Sequence, residues 1–331
     1  MRRRRRRPPR RQRPPRRSGR PLLIALAAIL VAAGVWLVAA RGTENTAPPA
    51  AAVHSPPALK HRAKNLTPSG KAPPPGIQLF GAKPVRVKFK HPPRAGLVFD
   101  VKTGQALWAH RPLRRLPIAS LTKVMTAILT VENTSPTDKA RITHEALAYT
   151  GSGVGVLPKG KDVPVEGLLA AMLLPSGNDA AIALADHLGG NSKDFVKQMN
   201  ARAKEMGLGC THYVGPDGIS DRNHSCPADL AALARVAIAQ PRIARIVKHE
   251  QLHPRFPVQG GHLWLYSTNP LLHLNYPGTI GLKTGSTEKA GHCFIGIVRR
   301  GNRTLGVVLL HSPDTGKQAE RLLDAAFKLR T

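Results

Sequence analysis

The sequence predicts an α+β fold, a mixed α/β class in which strands from both ends of one domain complete an antiparallel sheet around a helical middle. Near the start of this domain, Gly96–Phe99 and Ala106–His110 are apolar runs separated by a short polar turn, as in a β-hairpin. Near its end, Cys293–Val298 and Leu305–Leu310 form a second such pair. The region between the two pairs shows helical periodicity, which predicts helices that flank the sheet.

Several segments carry the helical pattern. The first places Val124, Ile128 and Val131 on one face. Gly207 ends a later helix, because glycine readily adopts the left-handed conformation that follows a helix C-terminus. Pro227 begins the next helix, where its missing N–H is harmless. The predicted helices span residues 118–132, 166–174, 179–188, 193–206, 227–239 and 316–329.

The amino-terminal part of the chain has the pattern of an exported, membrane-anchored protein. Residues 1–20 contain twelve arginines and no acidic residue, and residues 21–40 contain no charge. An apolar stretch of this length, at about 1.5 Å rise per residue, matches the ~30 Å hydrocarbon core of a bilayer. With the positive-inside rule, the sequence predicts a cytoplasmic Arg/Pro-rich tail 1–20, a transmembrane signal anchor 21–40, a Pro/Ala-rich disordered linker 41–77 and an extracytoplasmic domain 78–331.

A cleavable signal peptide is the alternative interpretation of residues 21–40. Val38-Ala39-Ala40 fits a small-residue cleavage site. The apolar stretch is longer than the roughly 7–15 residues of a typical signal peptide, however. An uncleaved anchor is therefore favoured.

The net charge of +31 leaves nucleic acid, anionic lipid and anionic cell-wall polymer open as partners on charge alone. The arginine run lies directly before an apolar span, where positive charge sets membrane topology. No nucleic-acid partner is therefore expected.

The three cysteines are too few and too far apart for a disulfide framework or a Cys-x-x-Cys metal pair. Cys210 and Cys226 flank a polar loop, and export would place them in a compartment where a disulfide persists. We therefore predict a bridge between them, with two free cysteines as the alternative. Cys293 lies in a strand-like apolar run and is expected to remain a buried thiol.

Ser120 and Lys123 are the first candidate pair for chemistry. They lie three residues apart at the start of a predicted helix and therefore share a face. A serine hydroxyl is a weak nucleophile that needs an adjacent base, and lysine can serve only if burial or another cation lowers its pKa. The helix start adds N–H groups that favour a developing oxyanion. Taken alone, Ser-x-x-Lys also fits an ordinary helix start with a surface charge.

Two further polar sites follow along the chain. They are Ser176-Gly177-Asn178, at the break between two predicted helices, and Lys283-Thr284-Gly285-Ser286, shortly before a predicted strand. Taken singly, the first is equally well explained as a turn with Ser176 as helix N-cap. A second Lys-Thr-Gly triplet, residues 102–104, lies in the hairpin turn and is interpreted as turn chemistry only.

Together and in this order, the three sites resemble those of the serine penicillin-recognising enzymes. The chain is most similar to their D-alanyl-D-alanine carboxypeptidase branch, the low-molecular-mass penicillin-binding proteins, from about residue 90 to 330. The segments that carry the resemblance are Pro117–Thr126, Ser176–Ala180, Ser267–Asn269 and Gly281–Gly285. The resemblance implies the β-lactamase/transpeptidase-like fold, with a mainly helical middle subdomain.

The resemblance also implies a role for each site. Ser120 is expected to attack the carbonyl between two D-alanines, with Lys123 as its base. Ser176, supported by Lys283, is expected to pass a proton to the leaving amine, and the N–H groups of Ser120 and Ser286 to form an oxyanion hole. No cofactor or metal ion is expected. The residues implied in substrate binding are Asn178, Thr284, Gly285, Ser286 and, in place of an arginine common in the family, Lys317.

The implied substrate is a peptidoglycan stem peptide that ends in D-Ala-D-Ala, and the implied inhibitors are β-lactam antibiotics. The implied location is a bacterial cell membrane, with attachment through residues 21–40. Alternatives on the same fold are a DD-endopeptidase or transpeptidase, and a β-lactamase, for whose deacylating carboxylate Glu205 is the only near match. The non-enzyme alternative is a cell-wall binding domain, which the three intact sites disfavour.

Overall fold

The computed structural model describes residues 76–79 and 85–329. The predicted tail 1–20 and anchor 21–40 lie outside the described residues, as does nearly all of the predicted linker 41–77. Within the described part of the chain, no helix is long and apolar enough to span a membrane.

A five-stranded antiparallel sheet, in the order β2-β1-β11-β10-β9, joins the two ends of the domain. Its pairing brings the first strand of the domain against the last, so that Ala95 lies opposite Leu310 and Asp100 opposite Leu305. Short two-stranded ribbons pair β3 with β6, β4 with β5 and β7 with β8. The strands are β1 Ala95–Asp100, β2 Ala106–His110, β3 Leu116–Pro117, β4 Lys139–Arg141, β5 Asp162–Pro164, β6 His224–Ser225, β7 Gln251–Leu252, β8 Leu265–Tyr266, β9 Thr279–Thr287, β10 Gly291–Arg300 and β11 Arg303–Ser312.

Helices fill the chain between the two halves of the sheet, and their ends follow ordinary capping chemistry. The side chain of Asn191 accepts a hydrogen bond from the N–H of Asp194 at the start of α5. Gly190, at φ 77°, ends α4. The helices are α1 Lys123–Asn133, preceded by a 3₁₀ turn Ala119–Thr122, then α2 His144–Leu147, α3 Val165–Leu173, α4 Asn178–Gly189, α5 Ser192–Glu205, α6 Pro227–Ala239, α7 Pro241–Val247, α8 Pro270–His273 and α9 Thr315–Phe327.

The sheet is buried on both faces, which explains why its strands are continuously apolar. Alternate side chains of β1 point to opposite faces. Leu97 and Phe99 pack into the larger core with the central helices. Val98 packs into a second core with Leu322 and Leu323 of α9. The sheet therefore separates the helical middle from the closing helix.

The predicted α+β class, the amino-terminal hairpin and the predicted helices are confirmed, within a few residues at their ends. The two carboxy-terminal strands are longer than the apolar runs that predicted them, because their ends are polar. Strand β9 was not predicted. It contains the third polar site, and its lysine, threonines and glycines hide the strand pattern.

A disulfide joins Cys210 to Cys226, and the two Cα atoms are 5.6 Å apart, within the usual range. The carboxylate of Asp229 reinforces the junction by accepting hydrogen bonds from the Cys210 N–H and the Thr211 hydroxyl. Cys293 is a buried free thiol whose pKa burial raises to about 12. A thiol with that pKa is protonated and unreactive at neutral pH.

We predict that removal of this disulfide, in a Cys210→Ser/Cys226→Ser variant, lowers the free energy of unfolding. A loop of this length corresponds to about 3 kcal/mol in the chain-entropy model, which denaturant unfolding of wild type and variant measures. A Cys293→Ala variant serves as the control and should keep the linked peptide in a non-reducing peptide map. A map of the native protein in which all three thiols are alkylated would contradict the bridge.

Candidate active site

The turn before α1 brings the first candidate pair, Ser120 and Lys123, close together. Ala119 has φ 47°, and the 3₁₀ turn that it opens leads directly into α1 at Lys123. Ser120 and Lys123 therefore lie one turn apart. The Lys123 Nζ atom donates a hydrogen bond of 2.9 Å to Ser120 Oγ.

The Lys123 amine is buried and surrounded by acceptors. Besides Ser120 Oγ, it contacts the side-chain oxygen of Asn178 and the carbonyl oxygen of Asp217, each at 2.6 Å. Three acceptors match the three protons of an ammonium group. Burial nevertheless lowers the pKa of Lys123 to about 8, against the opposing charges of Asp217 and Asp179. The site therefore contains a lysine that can lose its proton near neutral pH.

The start of α4 supplies the second set of contacts. The Asn178 amide group donates to the carbonyl of Thr150 at 2.6 Å, which fixes its oxygen toward Lys123. The carboxylate of Asp179, fully buried, accepts hydrogen bonds from the N–H groups of Val154 and Gly155 at 2.8 and 2.9 Å. The start of α4 thus fixes the orientation of Asn178 and, through Asp179, holds the loop at Val154 and Gly155 in place.

Strand β9 lies at an edge of the main sheet and supplies the third set. Lys283 is buried, and its pKa lies well below its ordinary value, first through burial and then through the positive charge of Lys123. The Lys283 ammonium donates to the carbonyl of Thr284 at 3.0 Å. The hydroxyls of Thr284 and Thr268 are 2.5 Å apart. The site therefore contains two buried lysines, each with a lowered pKa.

Glycine is required where the backbones meet. A Cβ on Gly285 would lie 2.8 Å from the Ser120 N atom, too close for any other residue without movement. A Cβ on Gly218 would lie 2.1 Å from the Ala119 carbonyl oxygen, and Gly218 has φ 86°. These close approaches bring β9 and the turn after Asp217 directly against Ser120.

The three sites surround a cleft of about 310 Å³. Ser176 reaches it from a strained turn, because its φ of 69° lies in the left-handed region. The Ser286 hydroxyl contacts His292 Nδ1 at 3.3 Å on the neighbouring strand. The residues that line the cleft are Ser120, Ser152, Pro175, Ser176, Thr268, Pro270, Thr284, Gly285, Ser286, His292, Cys293 and Thr315.

The structure brings all but one of the predicted site residues together. Lys123, Asn178 and Lys283 lie buried beside the cleft that the others line. Lys317 is the exception: its side chain is exposed, lies 4.0 Å from Asp314 and lines a separate depression. Thr315 and Lys317 are two residues apart in α9, so their side chains point in directions about 200° apart around the helix axis. Thr315 therefore points into the cleft, whereas Lys317 points away from it.

Sequence reasoning missed the supporting residues. The Asp217 carbonyl holds Lys123 through the backbone, which a side-chain pattern does not show. Its only signal is the turn sequence around it, Gly-Pro-Asp-Gly. Asp179 follows directly after the second site, and its position at a helix start was a usable signal.

We predict that the reaction of Ser120 with a neutral acylating reagent accelerates with pH up to about 8. In the predicted role of Lys123, its neutral amine accepts the Ser120 proton, and the pKa of this amine is about 8. Below that value the neutral fraction, and with it the rate constant, should fall about tenfold per pH unit. Stopped-flow or mass-spectrometric rate measurements on wild type test this, with Lys123→Arg as the permanently charged comparison. A rate constant that does not change between about pH 6 and 8 would contradict the role of Lys123 as base.

Comparison with known proteins places this site in a family. A family model described as D-alanyl-D-alanine carboxypeptidase matches residues 85–314. The D-alanyl-D-alanine carboxypeptidase DacF of Bacillus subtilis is 32% identical over 246 residues, which are 72% of this chain and 62% of that relative. A D-alanyl-D-alanine endopeptidase of Pseudomonas aeruginosa is 33% identical over 220 residues, which are 62% of this chain and 70% of that protein.

A solved structure agrees in fold. The crystal structure of a Streptomyces DD-transpeptidase superposes with a TM-score of 0.68 at 30% identity, and the match covers 74% of this chain and 100% of that one. The fold is therefore the DD-peptidase fold that the resemblance implied. The chain belongs to the D-alanyl-D-alanine carboxypeptidase family.

Proposed function

We propose that this protein is a serine-type D-alanyl-D-alanine carboxypeptidase that removes the terminal D-alanine of peptidoglycan stem peptides through an acyl-enzyme on Ser120. The observation that carries the proposal is the 2.9 Å contact between the buried Lys123 amine and the Ser120 hydroxyl, which lines the cleft. Membership of a family described by this activity supports the substrate.

In the acylation step, Ser120 Oγ attacks the carbonyl carbon between the two D-alanines while neutral Lys123 takes the hydroxyl proton. The Asn178 and Asp217 oxygens that contact Nζ then stabilise the ammonium that forms. The N–H groups of Ser120 and Ser286 receive the developing oxyanion, which the approach of β9 at Gly285 makes geometrically accessible. Each such donor typically contributes about 10²–10³ in rate.

Departure of D-alanine requires a proton on the leaving amine. Ser176 lines the cleft, and we assign to it the transfer of that proton. Lys283 supports the transfer electrostatically from its buried position. Water then attacks the ester carbonyl, and the Ser120 hydroxyl is restored as the peptide leaves.

In this proposal, the hydroxyls around β9 bind the terminal carboxylate of the substrate. Thr284, Thr268 and Ser286 all line the cleft, and the hydroxyls of Thr284 and Thr268 are in contact. Asn178 is proposed to orient the substrate amide. Thr315 and His292 line the cleft beside these hydroxyls, whereas Lys317 points elsewhere. A carboxylate bound here is held by hydroxyl and backbone donors rather than by a guanidinium fork.

Endopeptidase and transpeptidase reactions are the second candidate, because a Pseudomonas relative is named as an endopeptidase and a Streptomyces structure as a transpeptidase. They share the same acyl-enzyme and differ only in the leaving or accepting amine. A β-lactamase role is disfavoured, since Glu205 ends α5, pairs with Arg202 and is absent from the residues that line the cleft.

The test is to incubate the full-length protein with a pentapeptide ending in D-Ala-D-Ala and measure released D-alanine. A β-lactam should also add its mass to the peptide that contains Ser120, because the strained amide mimics the substrate carbonyl. We expect Ser120→Ala to abolish both signals, with Ser192→Ala, a serine at the start of α5, as the unaffected control. Labelling that persists in Ser120→Ala would refute the assignment.

We further propose that residues 21–40 anchor the protein in the cell membrane, with the amino terminus in the cytoplasm and residues 78–331 outside. Supporting this are the uncharged apolar stretch and the arginine run before it. A substrate in the cell wall also requires the cleft to lie outside the cytoplasm.

Cell fractionation checks this location. We expect the protein in the membrane fraction, with a mass that includes residues 1–20, and its globular part accessible to external protease. Replacing the arginines of residues 1–20 by glutamine should reduce that accessibility, because positive charge sets the orientation. Protein recovered entirely from the cytosol would contradict export, and a membrane-free mature form beginning after Ala40 would contradict the anchor.

A further inference from the structure

The loop that the disulfide closes carries one of the contacts that hold Lys123. The structure describes all of residues 211–223 within this loop and shows no helix there and no strand longer than a single bridge. The carbonyl oxygen of Asp217 accepts a hydrogen bond from Lys123 Nζ at 2.6 Å. The carbonyl oxygen of Pro216 accepts one from the hydroxyl of Thr126, on α1, at 2.7 Å. Individual hydrogen bonds, rather than regular secondary structure, therefore determine where this turn lies.

Asn223 holds the same turn through its side chain, which is completely buried. Its Oδ1 atom accepts hydrogen bonds from the N–H groups of Val214 and Gly215, at 2.7 and 3.2 Å. Gly215 lies two residues before Asp217, so these contacts fix the backbone that leads into the Asp217 carbonyl. Loss of the Asn223 oxygen would leave both N–H groups without this acceptor.

The backbone of Asn223 is in turn fixed relative to the candidate nucleophile. Strand β6 begins at the next residue and pairs with β3. The Asn223 carbonyl accepts a hydrogen bond from the N–H of Ile118 at 3.3 Å, which extends this pairing by one residue. Ile118 lies two residues before Ser120. One asparagine thus contacts the turn that leads to Ser120 through its backbone and the turn that holds Lys123 through its side chain.

We infer that Asn223 is a positioning residue for the proposed reaction, which keeps the Asp217 carbonyl in contact with the Lys123 amine. Without the Asn223 oxygen, the turn keeps the Thr126 contact on one side and loses its support on the other. The inference rests on the proposed role of Lys123 as base.

The direction of the effect follows from the groups around the amine. The charged groups that face Lys123 are Asp179, Asp217 and Lys283. The Asp217 carbonyl accepts a hydrogen bond from the ammonium, and the charge of the Asp217 carboxylate raises the pKa of Lys123. If the turn withdraws, both contributions weaken, and burial then lowers the pKa of Lys123 further.

The test measures the rate constant for acylation of Ser120 by a neutral reagent, on the full-length protein, from about pH 5.5 to 9.5. We expect Asn223→Ala to lower the midpoint of the pH profile by about one unit, since a hydrogen bond to a charged group has an effect of that order. The limiting rate constant above the midpoint should fall by about threefold or more, because a weaker base accepts the proton less readily.

Asn223→Asp is the conservative variant. It keeps an acceptor oxygen at the same place and loses an amide group that donates no hydrogen bond in the described part of the chain. We expect it to retain the limiting rate constant of wild type, with a midpoint at or above that of wild type, because an added negative charge raises the pKa of a lysine. If Asn223→Ala does not fold, Asn223→Ser takes its place, since a serine hydroxyl is too short to reach both N–H groups.

Asn200→Ala is the matched control. Asn200, on α5, also holds this loop, because its side chain accepts from the Tyr213 N–H at 2.9 Å and donates to the Tyr213 carbonyl at 2.8 Å. Its loss should lower the midpoint of thermal unfolding and leave the midpoint of the pH profile unchanged.

Three results would overturn the inference: an Asn223→Ala midpoint at or above that of wild type, an equal shift in Asn200→Ala, or an Asn223→Asp enzyme as slow as Asn223→Ala. The wild-type profile separates the two proposals. A rate constant that does not change with pH overturns the role of Lys123 as base and this inference with it. A midpoint near pH 8 that wild type and Asn223→Ala share overturns this inference alone.

Discussion

An amine held out of water is the constraint on which the rest of this site depends. Lys123 is completely buried, and transfer of a charge from water into a protein interior is expensive unless acceptors replace the lost hydration. Here they come from three separate parts of the chain: the turn before α1, the start of α4 and the loop at Asp217. The compensation is incomplete, since the pKa of Lys123 falls to about 8. Incomplete compensation leaves an amine that can lose its proton near neutral pH, which is what the proposed role of Lys123 as base requires.

The sheet and the helical middle meet at this amine, so the backbone geometry around it is tightly specified. Gly285 lets β9 approach Ser120, and Gly218 lets the turn after Asp217 approach Ala119. A side chain at either position would separate the strand or the loop from the serine. The long pairing of β9 with β10 fixes the strand in return. The third polar site, Lys283–Ser286, therefore belongs both to the main sheet and to the candidate active site.

The sequence predicted the apolar framework well, because buried strands and amphipathic helices leave a strong periodic signal. The polar residues around the cleft were identified through the resemblance of three motifs to a known family, because each motif taken alone also fits an ordinary helix start or turn. Sequence reasoning failed where contacts depend on tertiary structure. Strand β9 was missed because a polar strand that borders a cleft lacks the apolar pattern. Lys317 was assigned to the cleft as the counterpart of an arginine common in the family, whereas helical rotation gives that place to Thr315.

The two buried lysines place a further condition on the proposed reaction. The positive charge of Lys123 is one cause of the lowered pKa of Lys283. In a poorly solvated site, two such amines titrate as a coupled pair, and a proton on one disfavours a proton on the other. On the proposed mechanism, Lys123 gains the Ser120 proton during acylation and so weakens the hold of Lys283 on its own. On that mechanism, proton uptake by Lys123 favours proton transfer to Ser176, which lines the cleft, and from there to the leaving amine. In the proposed reaction, the burial of Lys123 thus also links the formation of the acyl-enzyme to the departure of D-alanine.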